Sequence, residues 1–298
     1  MMRTEQIDPR YADLDSWSVA EMIAAMYEGQ LAAAGTVRGA LGAITLAVED
    51  AVPALRRGGR IVYVGAGTSG RIGVQDGSEL SPTYDWPADR VVFVIAGGLE
   101  ALVRSIEGAE DNEAAGTQAI ANAKIGADDV VIGVAASGTT PFTIAALRAA
   151  NTAGAVTVAV ANNAGAPIFA AARHKILVET GSEVIAGSTR MNAGTAHKIV
   201  LNLFSTAVMV RMGRVYRGLM VDMQARNAKL RRRAAVIVRQ IVGCPEDDAA
   251  RYLEKAGGDV KTAILLGFGL SSGEATQSLK RHSGNLRAAI DESKRGKR

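Results

Sequence analysis

From Arg60 onward, short apolar runs rich in β-branched residues alternate with stretches of helical periodicity, and no other feature of the chain narrows the fold as far. The expected strands are 61–64, 91–95, 130–135, 156–160 and 176–178. None shows polar–apolar alternation, so each is expected to be covered on both faces, as a parallel strand between two helix layers is. Alternating β and α predicts an α/β fold with a doubly wound, five-stranded parallel sheet and right-handed crossovers. Ligands in such sheets settle at the carboxyl ends of the strands, so the loops that follow the strands are where function is to be sought. A long helix over 189–212 is expected to close this domain.

Helical sequence flanks the sheet on both sides. Over 17–57 apolar residues recur at helical spacing, through Met22, Ile23 and Met26 and then Leu41, Ile44, Val48 and Leu55. Ser18-Val19-Ala20-Glu21 is a capping box, whose hydroxyl and carboxylate satisfy free N–H groups at a helix start. After Tyr216 the strand signal stops and an internal repeat with an offset of 26 residues follows. Leu253, Gly258, Asp259, Val260, Lys261, Ala263 and Ile264 match Leu279, Gly284, Asn285, Leu286, Arg287, Ala289 and Ile290. Each copy reads as helix, Gly-Asp or Gly-Asn turn, helix, with glycine as the stop and Asp or Asn as the next N-cap. The expected organisation is an N-terminal helical segment over 1–50, a sheet domain with its closing helix over 51–235, and a small all-helical domain over 236–298. The last residues, Lys294-Arg295-Gly296-Lys297-Arg298, read as a solvated basic tail.

Charge and cysteine content exclude several classes. The net charge is +4, but residues 1–210 hold 15 Lys and Arg against 21 Asp and Glu, and residues 211–298 hold 19 against 9. The sheet region is therefore acidic, and the basic excess belongs to the C-terminal third. With Tyr252 and Phe268 the only aromatics of the repeat, base stacking has no platform, and no nucleic-acid partner is expected. One cysteine, Cys244, rules out an intrachain disulfide and a Cys-built zinc site, and His174, His197 and His282 have no metal-ligand spacing. No N-terminal h-region and no uninterrupted apolar run of membrane-spanning length is seen, so the expectation is a cytoplasmic protein without a membrane partner.

Three loops have the residue types for chemistry. Gly65-Ala66-Gly67-Thr68-Ser69-Gly70-Arg71 follows the first strand with G-x-G-x-x-G spacing. A dinucleotide site would need an acid at the end of the second strand, where Ala96-Gly97-Gly98 stands, and the Gly-Lys-Ser/Thr of a P-loop is absent. A glycine turn bearing Thr68 and Ser69 at a helix start suits a small anion or a sugar, and equally suits a plain capped turn. Ala136-Ser137-Gly138-Thr139-Thr140-Pro141 follows the third strand. Its three hydroxyls and helix-start N–H groups make a neutral phosphate cradle, or else a simple N-cap. The stretch 183–195 gathers Glu183, Ser188, Thr189, Arg190 and Asn192 before the long helix, as a pocket wall, a subunit contact or a polar capped loop.

Taken together, Gly65 to Arg71, Asp76-Gly77-Ser78-Glu79, Pro82-Thr83, Ile106-Glu107-Gly108-Ala109-Glu110-Asp111, Ala136 to Pro141, Glu183 to Thr195 and Gly218-Leu219-Met220-Val221-Asp222 resemble the N-acetylmuramic acid 6-phosphate etherase family. The likeness runs from about Thr4 to the C-terminus, in order and spacing. It is also similar, more distantly, to the glucokinase regulatory proteins. The resemblance implies a sugar isomerase (SIS) domain, a small C-terminal helical domain, a homodimer, a sugar-phosphate substrate and no cofactor. It implies a lyase that splits the D-lactyl ether of N-acetylmuramic acid 6-phosphate into D-lactate and N-acetylglucosamine 6-phosphate, in cell-wall amino-sugar recycling. Its catalytic acids fall on Glu79 and Glu110, neither of which stands out otherwise. Glu110 is expected as base and Glu79 as acid. Substrate contacts are expected from Gly67, Thr68, Ser69, Ser137, Gly138, Thr139, Thr140, Glu183, Ser188, Thr189 and Arg190, with no metal. The chain departs from the family pattern at Leu80-Ser81, where Cys-Pro is usual, at Ser182, where Pro is usual, at Asn192, where Lys is usual, and at Ile7-Asp8, near an expected Arg-Asn. The rival readings are a sugar-phosphate isomerase and a non-catalytic sugar-phosphate-binding regulator on the same fold.

Overall fold

A computed structural model describes residues 2–223 and 228–295, so the last three residues of the basic tail lie outside the described residues. Helix α1 (Val19–Thr36) starts at the capping box: the Ser18 hydroxyl accepts the Glu21 N–H, and the Glu21 carboxylate accepts the Ser18 N–H at 2.9 Å. Between the two apolar runs expected over 17–57 stands a 3-10 turn at Val37–Ala40, after which α2 (Leu41–Arg56) follows.

The chain then alternates through β1 (Ile61–Gly65), α3 (Gly67–Ser78), α4 (Leu80–Tyr84), β2 (Val91–Ile95), α5 (Glu113–Asn122), β3 (Val130–Val134), α6 (Pro141–Thr152), β4 (Val156–Ala161), β5 (His174–Leu177) and α7 (Asn192–Arg211). The five strands are parallel in the order β2-β1-β3-β4-β5. From β1 the chain steps outward to β2 and then returns to the far side of β1 to form β3. The order therefore reverses between β1 and β3, and a crevice opens there at the strand ends.

Both faces are covered, as the uniform apolarity of the strands requires. Val62, Val64 and Val131 join one core with Ile120 of α5 and Phe142, Leu147 and Ala150 of α6. On the opposite face Tyr63 packs against Gly73 and Gly77 of α3. The central strands β1, β3 and β4 are buried throughout, while β2 and β5 are half-exposed edges. That edge position explains the shift of β5 from the expected 176–178. His174 and Lys175, too polar to read as strand, pair with Val158 and Ala159, and His174 Nε2 meets the Asp50 carboxylate at 2.9 Å.

Contacts divide the chain into two compact units, Met1–Ser78 with Ala88–Ser205 and Glu79–Pro87 with Thr206–Arg298. The division falls inside α7, not near residue 235, and assigns the short segment around α4 to the C-terminal unit. After α7 that unit has a hairpin, β6 (Val215–Tyr216) and β7 (Leu219–Met220), where the sequence carried no strand signal. Its two-residue strands are too short for any periodicity, and it is set by the turn, Arg217 and Gly218 both having positive φ (+49° and +77°). Then follow α8 (Ala228–Val242), α9 (Glu246–Lys255), α10 (Val260–Gly267), α11 (Ser272–Arg281) and α12 (Leu286–Arg295). The repeat is two helical hairpins with matching turns. Asp259 accepts the Thr262 N–H at 2.7 Å, and Asn285 accepts the Ala288 N–H at 3.1 Å. Ile237, Leu253, Val260, Ile264, Leu286 and Ile290 form their shared core.

Two helical stretches, Val19–Arg56 and Asn192–Arg211, are long and apolar enough by length and composition to cross a membrane. Counting uninterrupted apolar runs missed them, because a helix of this length tolerates scattered polar residues. More than half of the second stretch (56% of its most apolar window) is buried within the protein.

Candidate active site

The site forms where the strand order reverses. After β1 the chain turns at once into α3, and the turn is tight because Gly65 and Gly70 nearly touch. A Cβ on Gly65 would stand 2.9 Å from the Gly70 nitrogen. This brings Gly67, Thr68 and Ser69, the first residues of α3, to the strand ends. After β3 the loop is shaped by Gly138, whose φ of +71° lies in the left-handed region and whose Cβ would collide with Ala166 at 2.5 Å. Within that loop the Ser137 hydroxyl accepts both the N–H (3.2 Å) and the hydroxyl (3.0 Å) of Thr139. The N-cap of α6 is Thr140, which makes no side-chain capping bond. The loop's hydroxyls are thus not used to cap α6.

Between the two loops lies a cavity of about 500 Å³. It is lined by Gly67, Thr68 and Ser69, by Ser137, Thr139 and Thr140, by Glu110 and Asp111, and by Thr189 and Glu5. Among the described residues, hydroxyls and carboxylates line it and no cation does. A smaller cavity of about 300 Å³ shares Ala66, Gly67 and Glu110 with it and adds Arg71, Arg104 and Glu107. The Arg71 guanidinium is committed to backbone carbonyls of Ala101, Leu102 and Arg104 at 3.1–3.2 Å, which ties the loop after β2 to α3.

The expected site residues are not all brought together. Glu110 sits in a 3-10 turn (Ala109–Asp111) and lines both cavities. Of the stretch before α7 only Thr189 lines the larger one. Gly138 shapes its loop without lining the cavity, and Ser188 and Arg190 do not line it. Glu183 is buried and its two carboxylate oxygens accept the Asn192 and Ala193 N–H groups at 2.8 and 2.9 Å, so it caps α7 and does not face the cavity. Burial pushes its carboxyl up from the ordinary value, and the two N–H donors oppose that shift. Glu79 belongs to the other compact unit, where it is exposed at the start of α4 and makes no capping bond.

Similarity to known proteins decides the family. Residues 43–151 match the glucokinase regulatory protein N-terminal SIS domain, and residues 109–207 match the SIS domain. The N-acetylmuramic acid 6-phosphate etherase of Deinococcus radiodurans is 51% identical over 97% of this chain and 95% of its own length. The etherase of the same name from Halalkalibacterium halodurans is 44% identical over 98% of both chains. This chain belongs to the N-acetylmuramic acid 6-phosphate etherase family. Its fold is also that of a chain from Listeria monocytogenes assigned as a sugar-phosphate isomerase, at 17% identity with a TM-score of 0.50 over 70% of this chain and 93% of that one.

Two residues at or beside the candidate site escaped the sequence reading. Glu5 reaches the larger cavity because Thr4 is clamped in place. Asn163 Nδ2 donates to the Thr4 hydroxyl and to the Ala136 carbonyl, both at 3.0 Å, and the Gly187 N–H donates to the Thr4 carbonyl at 3.1 Å. His197 of α7 stands behind Ser69, its Nδ1 3.5 Å from the hydroxyl. No local pattern marks either one, since both partners are more than a hundred residues away.

Proposed function

We propose that this etherase-family chain cleaves the D-lactyl ether of N-acetylmuramic acid 6-phosphate to D-lactate and N-acetylglucosamine 6-phosphate, as a carbon–oxygen lyase of amino-sugar recycling. The observation that carries this is near-full-length identity of 44–51% to proteins of that name. The site chemistry supports it. An ether oxygen is a poor leaving group, so the reaction needs an activated neighbour. Ring opening exposes an aldehyde at C1, which acidifies the C2 proton. Glu110 takes that proton as base, the C2–C3 double bond forms, and the C3–O bond breaks as Glu79 protonates the departing lactate oxygen. Water then adds at C3 with its proton passing to Glu79, and Glu110 returns a proton to C2. Two carboxyls in opposite protonation states suffice for this sequence.

The 6-phosphate is assigned to the loop of Ser137, Gly138, Thr139 and Thr140, whose hydroxyls are free of capping duty. Gly67, Thr68, Ser69 and Thr189 are assigned to the sugar, with Glu183, Ser188 and Arg190 as their support. Binding energy from the phosphate, remote from the bond that breaks, then serves the chemical step. The charged sugar phosphate is retained by membranes, which favours a cytoplasmic location. A homodimer is supported by α1, an apolar helix in which Ala33 is the one buried residue.

Lactate release and deuterium incorporation at C2, followed in D2O with N-acetylmuramic acid 6-phosphate, test the reading. Glu79→Ala is expected to exchange the C2 proton without releasing lactate, and Glu110→Ala to do neither. The opposite pattern would reverse the two roles. Wild-type protein that binds the substrate but releases no lactate would support the isomerase or regulator reading instead.

A further inference from the structure

The C-terminal helical module has no part in the reaction just described, yet it encloses a charged side chain. Lys261, at the start of α10, is 4% exposed. A buried ammonium is tolerated only with its counter-ion and hydrogen-bond acceptors in place. Lys261 Nζ donates to Asp222 at 2.7 Å and to the Gly284 carbonyl at 2.6 Å, the latter in the turn of the second repeat copy. Asp222 also meets Arg214 Nε at 3.1 Å. The matching position in the second copy is Arg287, whose guanidinium lies exposed over the Tyr216 ring. The repeat therefore does not need a buried cation for its own packing.

The cluster leads to Glu79. Arg214 Nη1 donates to the carbonyls of Tyr84 and Asp85, each at 3.0 Å, and its guanidinium lies 5.4 Å from the Trp86 ring centre. Asp85, the C-cap of α4, has a φ of +50°, the left-handed conformation that ends many helices and that Asp tolerates. Trp86 and Leu80 are buried, and the Trp86 N–H donates to the Leu80 carbonyl at 3.3 Å. The Thr83 N–H donates to the carbonyl of Glu79 itself at 3.1 Å. An unbroken series of fixed contacts runs from Lys261 to the backbone of Glu79, wholly within one compact unit.

We propose that the helical module serves the reaction by holding the Glu79 segment through the Arg214–Asp222–Lys261 cluster, which makes these three positioning residues for the proton donor. The proposal rests on the assignment of Glu79 as that donor. It also gives a role to the Gly218–Asp222 motif, whose hairpin delivers Asp222.

The test uses the full-length enzyme and the two readouts above, lactate release and C2 exchange. Arg214→Lys keeps a charge but has one nitrogen in place of the two by which Arg214 meets Asp222 (Nε) and the carbonyls (Nη1), and Lys261→Met keeps volume without charge. Glu292→Gln, which disturbs the Ser278, Arg281 and His282 contacts elsewhere in the module, is the control. Lactate release by the Arg214 and Lys261 variants is expected to fall about tenfold or more while C2 exchange stays within about twofold, the signature of a misplaced acid with an intact base. The control is expected to leave the ratio of the two rates unchanged. Loss of folding alone lowers both readouts together, and that result, or no change in the ratio, overturns the positioning role when Glu79→Ala does separate them. If Glu79→Ala itself fails to separate them, the donor assignment falls and the proposal falls with it.

Discussion

Ser69 and His197 show how much of a site can depend on one buried contact. The imidazole is fully enclosed, its Nδ1 is at the outer limit of a hydrogen bond to Ser69, and its Nε2 has no partner among the described residues. Burial disfavours the charged ring and pushes its pKa down to about 4. At neutral pH the ring is therefore uncharged and adds no cation behind the hydroxyls. The linkage has a definite sign. Between pH 6.5 and 4 the unfolded chain binds a proton that the folded chain does not, so stability falls as the pH falls through that window. Urea unfolding at pH 5 is expected to give about 2 kcal/mol less stability than at pH 7 from this group alone. His197→Gln should remove that difference. An unchanged difference in the variant would assign the acid sensitivity to other groups. In the sequence His197 was one of three scattered histidines, because nothing near it in the chain announces Ser69, 128 residues away.

At the scale of elements, α7 owes its start to Glu183, which takes the helix's first free N–H groups on both carboxylate oxygens. In the same first turn the Gly194 N–H donates to the carbonyl of Thr189, which lines the larger cavity. Glu183→Ala leaves buried donors unsatisfied and is expected to cost about 1–3 kcal/mol and to raise KM more than it lowers kcat, since Thr189 belongs to binding. Glu183→Gln, which keeps one acceptor, should lose less. Thermal unfolding and steady-state kinetics on both variants check this, and a kcat defect at unchanged KM would place Glu183 in the chemistry instead. The sequence marked this stretch as polar and dense but could not distinguish a cap from a pocket wall, because both use an acid beside free N–H groups. The two Ser-Gly loops were more legible. Each follows a short apolar run rich in β-branched residues, so its place at a strand end came with the strand.

For the whole molecule, α1 presents Val19, Ile23, Tyr27 and Leu31 four residues apart, each 55–66% exposed. If a second copy covers this row, Ile23→Glu together with Tyr27→Glu should halve the mass seen by sedimentation at micromolar concentration. A mass unaffected by the charges would locate the interface elsewhere. The sequence by itself determined the layer architecture, the Ser18–Glu21 capping box, the repeat and the two hydroxyl-bearing loops, because each follows from periodicity or from residues close together in the chain. Only the tertiary structure decided that the N-terminal residue Glu5 joins the larger cavity, that Glu183 is turned to a helix end, and that the Glu79 segment is bound to the C-terminal helices by a buried ion cluster. These depend on which distant residues the strand order and helix packing bring within 3 Å, and no pattern local to the chain carries that information.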